Sequence, residues 1–130
     1  MYQTTTRAIR VTVEPTFVDS ESSPAKGQYF WAYRIEIANL GEEVVQLRAR
    51  HWRITDANGR TEEVRGPGVV GKQPVLKPGE TFSYTSGCPL STASGIMVGS
   101  YQMQTETGET FSIDIPAFSL DLPGTRKTLN

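Results

Sequence analysis

Apolar and polar residues alternate with period two along most of the chain, the pattern of strands that bury one face. Ile9, Val11 and Val13 oppose Arg10, Thr12 and Glu14, and Pro15 is expected to end that strand because it brings no ladder N–H. After a loop over 19–27 rich in serine, glutamate and proline, Tyr29, Trp31, Tyr33, Ile35 and Ile37 share one face against Phe30, Ala32, Arg34, Glu36 and Ala38. Asn39-Leu40-Gly41 supplies turn chemistry. Val45, Leu47 and Ala49 then take one parity while Trp52 and Ile54 take the other, so a bulge or a change of sheet is expected near His51.

Asp56-Ala57-Asn58-Gly59 predicts a hairpin with positive φ at both central residues, returning over 60–64. The stretch 66–79 is too broken by glycine and proline for regular structure, and Phe82 and Tyr84 open the next strand. Met97, Gly99, Tyr101 and Met103 lie on one face of a further run, Thr107-Gly108 turns it, and Phe111, Ile113 and Ile115 return before Pro116 closes the pattern. Apolar residues nowhere recur at helical spacing, so the chain reads as all-β. About seven or more short antiparallel strands fit an immunoglobulin-like or fibronectin type III-like β-sandwich better than a closed barrel. The domain is expected over 1–120, with 121–130 a flexible tail.

Composition narrows the function classes. The 130 residues suffice for one self-supporting core. With 13 basic and 14 acidic residues the net charge is -1, which gives no field toward nucleic acid or an anionic membrane, and neither is expected as a partner. Residues 1–10 lack the apolar run of a signal peptide or a spanning segment, so a cytoplasmic protein is expected. A single cysteine, Cys88, rules out an intrachain disulfide and reads as a small buried hydrophobe.

Three continuous stretches carry a family resemblance: Gly66-Pro67-Gly68-Val69-Val70-Gly71, Gln73-Pro74-Val75-Leu76-Lys77-Pro78-Gly79-Glu80 and Tyr84-Thr85-Ser86-Gly87-Cys88-Pro89-Leu90. Together with Trp31-Ala32-Tyr33-Arg34-Ile35, Arg50-His51-Trp52-Arg53-Ile54-Thr55-Asp56, 95–101 and Ile115-Pro116-Ala117-Phe118, the chain closely resembles the ApaG family over nearly all of its length. The resemblance implies a bacterial protein with a fibronectin-like sandwich. It also implies a family whose name is linked to cobalt and magnesium efflux and whose gene often neighbours a diadenosine tetraphosphate hydrolase. The same domain occurs in eukaryotic proteins, including an F-box protein and a polymerase-interacting protein, where it looks like an interaction module. No catalytic residues carry over.

Gly66-Pro67-Gly68-Val69-Val70-Gly71 spells a dinucleotide fingerprint flanked by Arg65 and Lys72. Spelling is not context, because a Rossmann site needs a helix whose amides and dipole face the pyrophosphate, and Pro74, Pro78 and Gly79 forbid one here. The loop is instead a candidate ligand site, either for a protein partner or, as the alternative, for a nucleotide pyrophosphate or a divalent cation. The two differ in what they require. A docking loop exposes Val69 and Val70, whereas an anion site converges amides with the side chains of Arg65 and Lys72.

The other candidates are weaker. Tyr29, Trp31 and Tyr33 share a face with Ile35 and Ile37, so they read as core and not as a stacking platform. A lone histidine, His51, and a lone cysteine give no multi-ligand transition-metal site, and Glu62-Glu63 and Glu106-Glu109 read as solvated turn residues. Ser86, Cys88 and His51 have no spacing that demands a nucleophile and base, and Glu109 and Asp114 are unmarked by their neighbours. The expectation is a non-enzymatic module without cofactor or resident metal, recognising a protein partner through the 66–75 loop, an adjacent sheet face or an exposed edge strand.

Overall fold

The computed structural model describes residues 1–123. Among them are nine strands: β1 (Tyr2–Thr6), β2 (Ile9–Phe17), β3 (Tyr29–Asn39), β4 (Val45–Asp56), β5 (Thr61–Pro67), β6 (Val75–Leu76), β7 (Thr81–Leu90), β8 (Gly95–Thr105) and β9 (Thr110–Leu120). They form two antiparallel sheets, ordered β1-β2-β3-β7 and β5-β4-β8-β9, with the short β6 paired to β4. The sheets face each other as a sandwich, and two single-turn 3₁₀ segments between β2 and β3 are the helical content of the described residues. Among the described residues, no helix is long and apolar enough to cross a membrane.

The alternation seen in the sequence builds the core. Val11, Val13, Ile35 and Ile37 of one sheet meet Leu47, Tyr101, Met103 and Ile113 of the other, all removed from water. Each such side chain contributes about 1.5–3 kcal/mol by leaving solvent. Trp31 is buried as expected and its Nε1–H donates to the Asp121 carbonyl at 2.8 Å, while Tyr33, Trp52 and Phe118 pack ring on ring across the sheets. Leu122 also packs against this core, so ordered contacts extend past 120, and 124–130 of the expected tail lie outside the described residues.

Several local expectations are corrected. Pro15 does not end β2 but pairs with Tyr33 inside it. The Leu40 N–H donates to the Ala8 carbonyl and the Val18 N–H to the Phe30 carbonyl, so even-numbered residues of β3 bond toward β2. Pro15 therefore turns its missing N–H away from β3, toward the side where β1 pairing has already stopped at Val13. Pro116 likewise sits within β9, at a bulge that sets Ile115 opposite Gly99 and Phe118 opposite Met97.

The bulge expected near His51 lies instead between Leu47 and Ala49, which sends Ala49 outward and Arg50 to the inner face beside Tyr101. Asn58-Gly59 makes a longer loop than expected, with positive φ at Gly59 alone of that pair. The Asp56 carboxylate accepts from the Asn58 and Arg60 amides at 2.9 and 3.0 Å, which holds the four-residue connection 57–60.

One side of the sandwich is sealed: Tyr2 Oη and Ser119 Oγ lie 2.9 Å apart, and the Asp114 N–H donates to Thr6 Oγ1 at 3.2 Å, joining β1 to β9. On the opposite side β5 and β7 end their sheets. That open side holds the features described next.

Candidate functional site

The 66–72 segment contains no stretch of irregular loop wide enough to wrap a ligand. Gly66 and Pro67 belong to β5, and the chain then folds into a tight hairpin in which Val69 and Lys72 exchange two backbone hydrogen bonds at 2.8 Å. Val70 and Gly71 fill its two central positions with φ of 43° and 78°, the mirror-image geometry of a two-residue β-turn. Gly68 anchors the base: its N–H donates to the Arg48 carbonyl at 2.9 Å, its φ is 60°, and a Cβ there would lie 2.2 Å from the Lys72 carbonyl oxygen.

These bonds decide what the loop can offer. The N–H groups of Val69 and Lys72 close the hairpin, that of Gly68 is taken by the Arg48 carbonyl of β4, and Pro67 has none. No helix follows, since the next element is the strand Val75–Leu76. The two valines part company: Val69 is 0 % exposed and belongs to the core, while Val70 is 53 % exposed at the tip. A β-branched residue in the left-handed region costs about 1–3 kcal/mol, so Val70 is both apolar in water and strained.

Arg65 projects from the outer face of β5, where its guanidinium lies 3.7 Å from Glu63. The same carboxylate sits 3.7 Å from Arg53 and 3.7 Å from His51 Nε2, a buried nitrogen without a hydrogen-bond partner. Lys72 is exposed beside the hairpin. A shallow groove of about 580 Å³ runs along the β4 and β5 outer face past this point, lined by Arg48, Arg50, His51, Arg65, Ser100 and Gln102 among others, with no carboxylate in its lining.

Sequence reasoning missed Arg48 and Arg50. Arg48 occupies the bulge, and Arg50 is the residue the bulge turns inward, where it donates to the Pro67 and Gly68 carbonyls at 3.0 and 2.9 Å. Gly66 leaves room for it, since a Cβ there would touch the guanidinium at 3.0 Å. Their signal lay in the parity break between Leu47 and Trp52, which shows that a slip occurs but not at which residue.

Behind Arg50 the two sheets share a polar contact. Tyr84 of β7 and Tyr101 of β8 hydrogen-bond through their hydroxyls. Burial pushes both phenols above their usual range, as it does Tyr33. Burial also pushes the Cys88 thiol up to about 11, with Glu62 adding to the effect, so the thiolate that nucleophilic chemistry needs is disfavoured at neutral pH. Ser86 lies by Tyr33 on the β7 side, and His51 stands on the opposite, outer face of β4, so the structure does not bring these three together as a triad. Among the described residues, no three His, Cys, Asp or Glu side chains gather in a way that could hold a metal ion.

Residues 19–105 match the family described as the ApaG domain. The chain is 61 % identical to Protein ApaG of Brucella anthropi and 63 % identical to Protein ApaG of Rhodopseudomonas palustris, each over the whole of both chains. A solved structure of an ApaA protein from Bordetella pertussis superposes with a TM-score of 0.88 at 49 % identity, covering 90 % of this chain and 95 % of that one.

Proposed function

The chain belongs to the ApaG family, and from that premise we propose that it is a non-catalytic, cytoplasmic protein-interaction module that docks a protein partner through the tip of the 68–72 hairpin. The observation that carries this reading is Val70. Asparagine or glycine would hold the same backbone with less strain, and valine at a half-exposed tip gains little from folding. A partner surface that buries Val70 recovers the missing hydrophobic term. The rest of the hairpin is suited to docking, because Val69 and the Gly68–Arg48 bond fix the tip rigidly and little ordering entropy then opposes association. Arg48, Arg65 and Lys72 flank it and favour an acidic surface. A link to cobalt and magnesium efflux then runs through the partner and not through metal bound by this chain.

The test couples stability to capture. Val70→Asn is expected to raise the unfolding midpoint while abolishing retention of a defined partner that the unaltered chain retains. Retention unchanged in both Val70→Asn and Val70→Asp would sink the reading.

A second reading, binding of a nucleotide pyrophosphate, is favoured by one observation: the groove lining holds Arg48, His51 and Arg65 and no carboxylate. Amide NMR titration with ATP or diadenosine polyphosphate separates the two. Saturable shifts clustered at Arg48, Arg65 and Lys72 favour the ligand, and unmoved spectra retire it.

A further inference from the structure

The two strands on the open side of the sandwich carry different chemistry. β5 bears Glu62, Glu63 and Arg65, charges that discourage an edge from pairing with another chain. β7 runs ten residues without one charged side chain and, among the described residues, pairs with β3 alone. Register identifies its free backbone groups. The Asn39 N–H donates to the Glu80 carbonyl at 2.9 Å, so the odd-numbered residues of β3 bond to the even-numbered residues of β7. Thr81, Ser83, Thr85, Gly87 and Pro89 therefore turn their backbone groups away from β3, and all of them are exposed.

We propose that β7 is a homodimer interface, pairing antiparallel with β7 of a second copy about a two-fold axis at Thr85. This does not rest on the Val70 reading. About that axis Thr85 faces Thr85 of the partner subunit, Ser83 faces Gly87 of the partner subunit, and Thr81 faces Pro89 of the partner subunit. Parity is kept, so Tyr84 and Ser86 stay on the inner face of a continuous eight-stranded sheet made from two four-stranded ones. Pro89 falls at the end of the pairing, where its missing N–H removes one terminal bond and leaves the centre intact.

The chemistry of the edge selects a second copy as its occupant. A two-fold axis brings each residue near its own counterpart, so charge on the strand would be self-repelling, and β7 has none. The nearest charge in register with the axis is Arg34, opposite Thr85 on β3. Its guanidinium donates to the Ser83 hydroxyl at 3.2 Å and lies 3.8 Å from the Glu36 carboxylate, so that charge is already partnered within its own subunit. Gly87 presents no side chain, because the Phe30 ring fills its place, 2.2 Å from where a Cβ would be. Ser83 of the partner subunit thus meets the Phe30 ring in place of a Gly87 side chain.

Sedimentation velocity over a concentration series of the full chain, with amide hydrogen exchange, tests this. A dimer whose fraction rises with concentration is expected, with the Ser83, Thr85 and Gly87 amides protected when concentrated and exchanging rapidly when dilute. Thr85→Lys, at an exposed site that the fold tolerates, places two like charges at the axis and should weaken the dimer at least about tenfold. Thr85→Pro removes the central outward N–H without touching the β3 ladder and should leave monomer. A monomer at every concentration overturns the proposal, even if another protein then protects β7. So does a dimer unchanged by Thr85→Lys whose β7 amides exchange freely.

Discussion

Two hairpin turns place non-glycine residues in the left-handed region, and they are supported in different ways. The β1–β2 turn holds Arg7 and Ala8 at φ of 48° and 62°, and the tip beyond β5 holds Val70 at 43°. Arg7 is tied down from three sides: its guanidinium donates to both Glu109 oxygens at 2.8 Å, reaches Glu43 at 3.2 Å and lies 4.2 Å above the centre of the Phe111 ring. Strain there is offset within the chain. At Val70 the support stops one residue short, at buried Val69, and the strained residue itself faces water. The same backbone conformation is a structural device in one turn and an exposed feature in the other. That contrast is what supports the proposal of docking at the second.

The largest expected effect is on the base of the Val70 turn. Gly68→Ala forces a Cβ onto the Lys72 carbonyl at a positive φ, and should destabilise by about 3 kcal/mol, read as a lowered urea midpoint with the Val69 amide losing protection. Next, Val70→Asn should stabilise by about 1 kcal/mol. An unchanged or lowered midpoint there would mean that Val70 is supported by the fold after all, and the contrast between the turns would fail.

Arg7→Ala is expected to lower the midpoint by less than Gly68→Ala, because its partners are solvent-exposed. High salt should reduce the difference between Arg7→Ala and the unaltered chain but not the effect of Gly68→Ala.

The smallest effect concerns pH. The hydrogen bond from Arg7 holds the Glu109 carboxyl below its ordinary value of 4.5. A depressed folded-state pKa contributes stability that is present above the unfolded value and lost as pH falls through the folded one. The Arg7 turn should therefore loosen slightly below about pH 4.5, seen as faster exchange at the Ala8 and Glu109 amides, with no such change at Val69. Glu109→Gln should remove that pH dependence.

Much of the sandwich was legible from alternation, since a one-residue slip would expose every inward side chain and the pattern excludes it at Ile9 to Val13 and Tyr29 to Ile37. The candidate site was legible in part. Gly68 and Gly71 mark positions that need positive φ, but nothing local separates buried Val69 from exposed Val70. The two mirror-image turns also escaped a reading based on Asn-Gly chemistry. Asp56 captured the amides around Asn58 and drew that turn into a longer loop, while contacts from Glu43, Glu109 and Phe111 hold Arg7 where propensity alone would not place it.

The sequence by itself determined the all-β class, the inward faces of the main strands and the absence of a helix behind the glycine motif, because these follow from side-chain period and from proline and glycine within a few residues. The tertiary structure alone decided that Pro15 and Pro116 lie inside strands, that the bulge sits at Arg48 and turns Arg50 inward, and that β5 and β7 are left as edges on one side. Each of these depends on which strand lies alongside, and hydrogen bonding between strands is set by partners distant in sequence that no local pattern specifies.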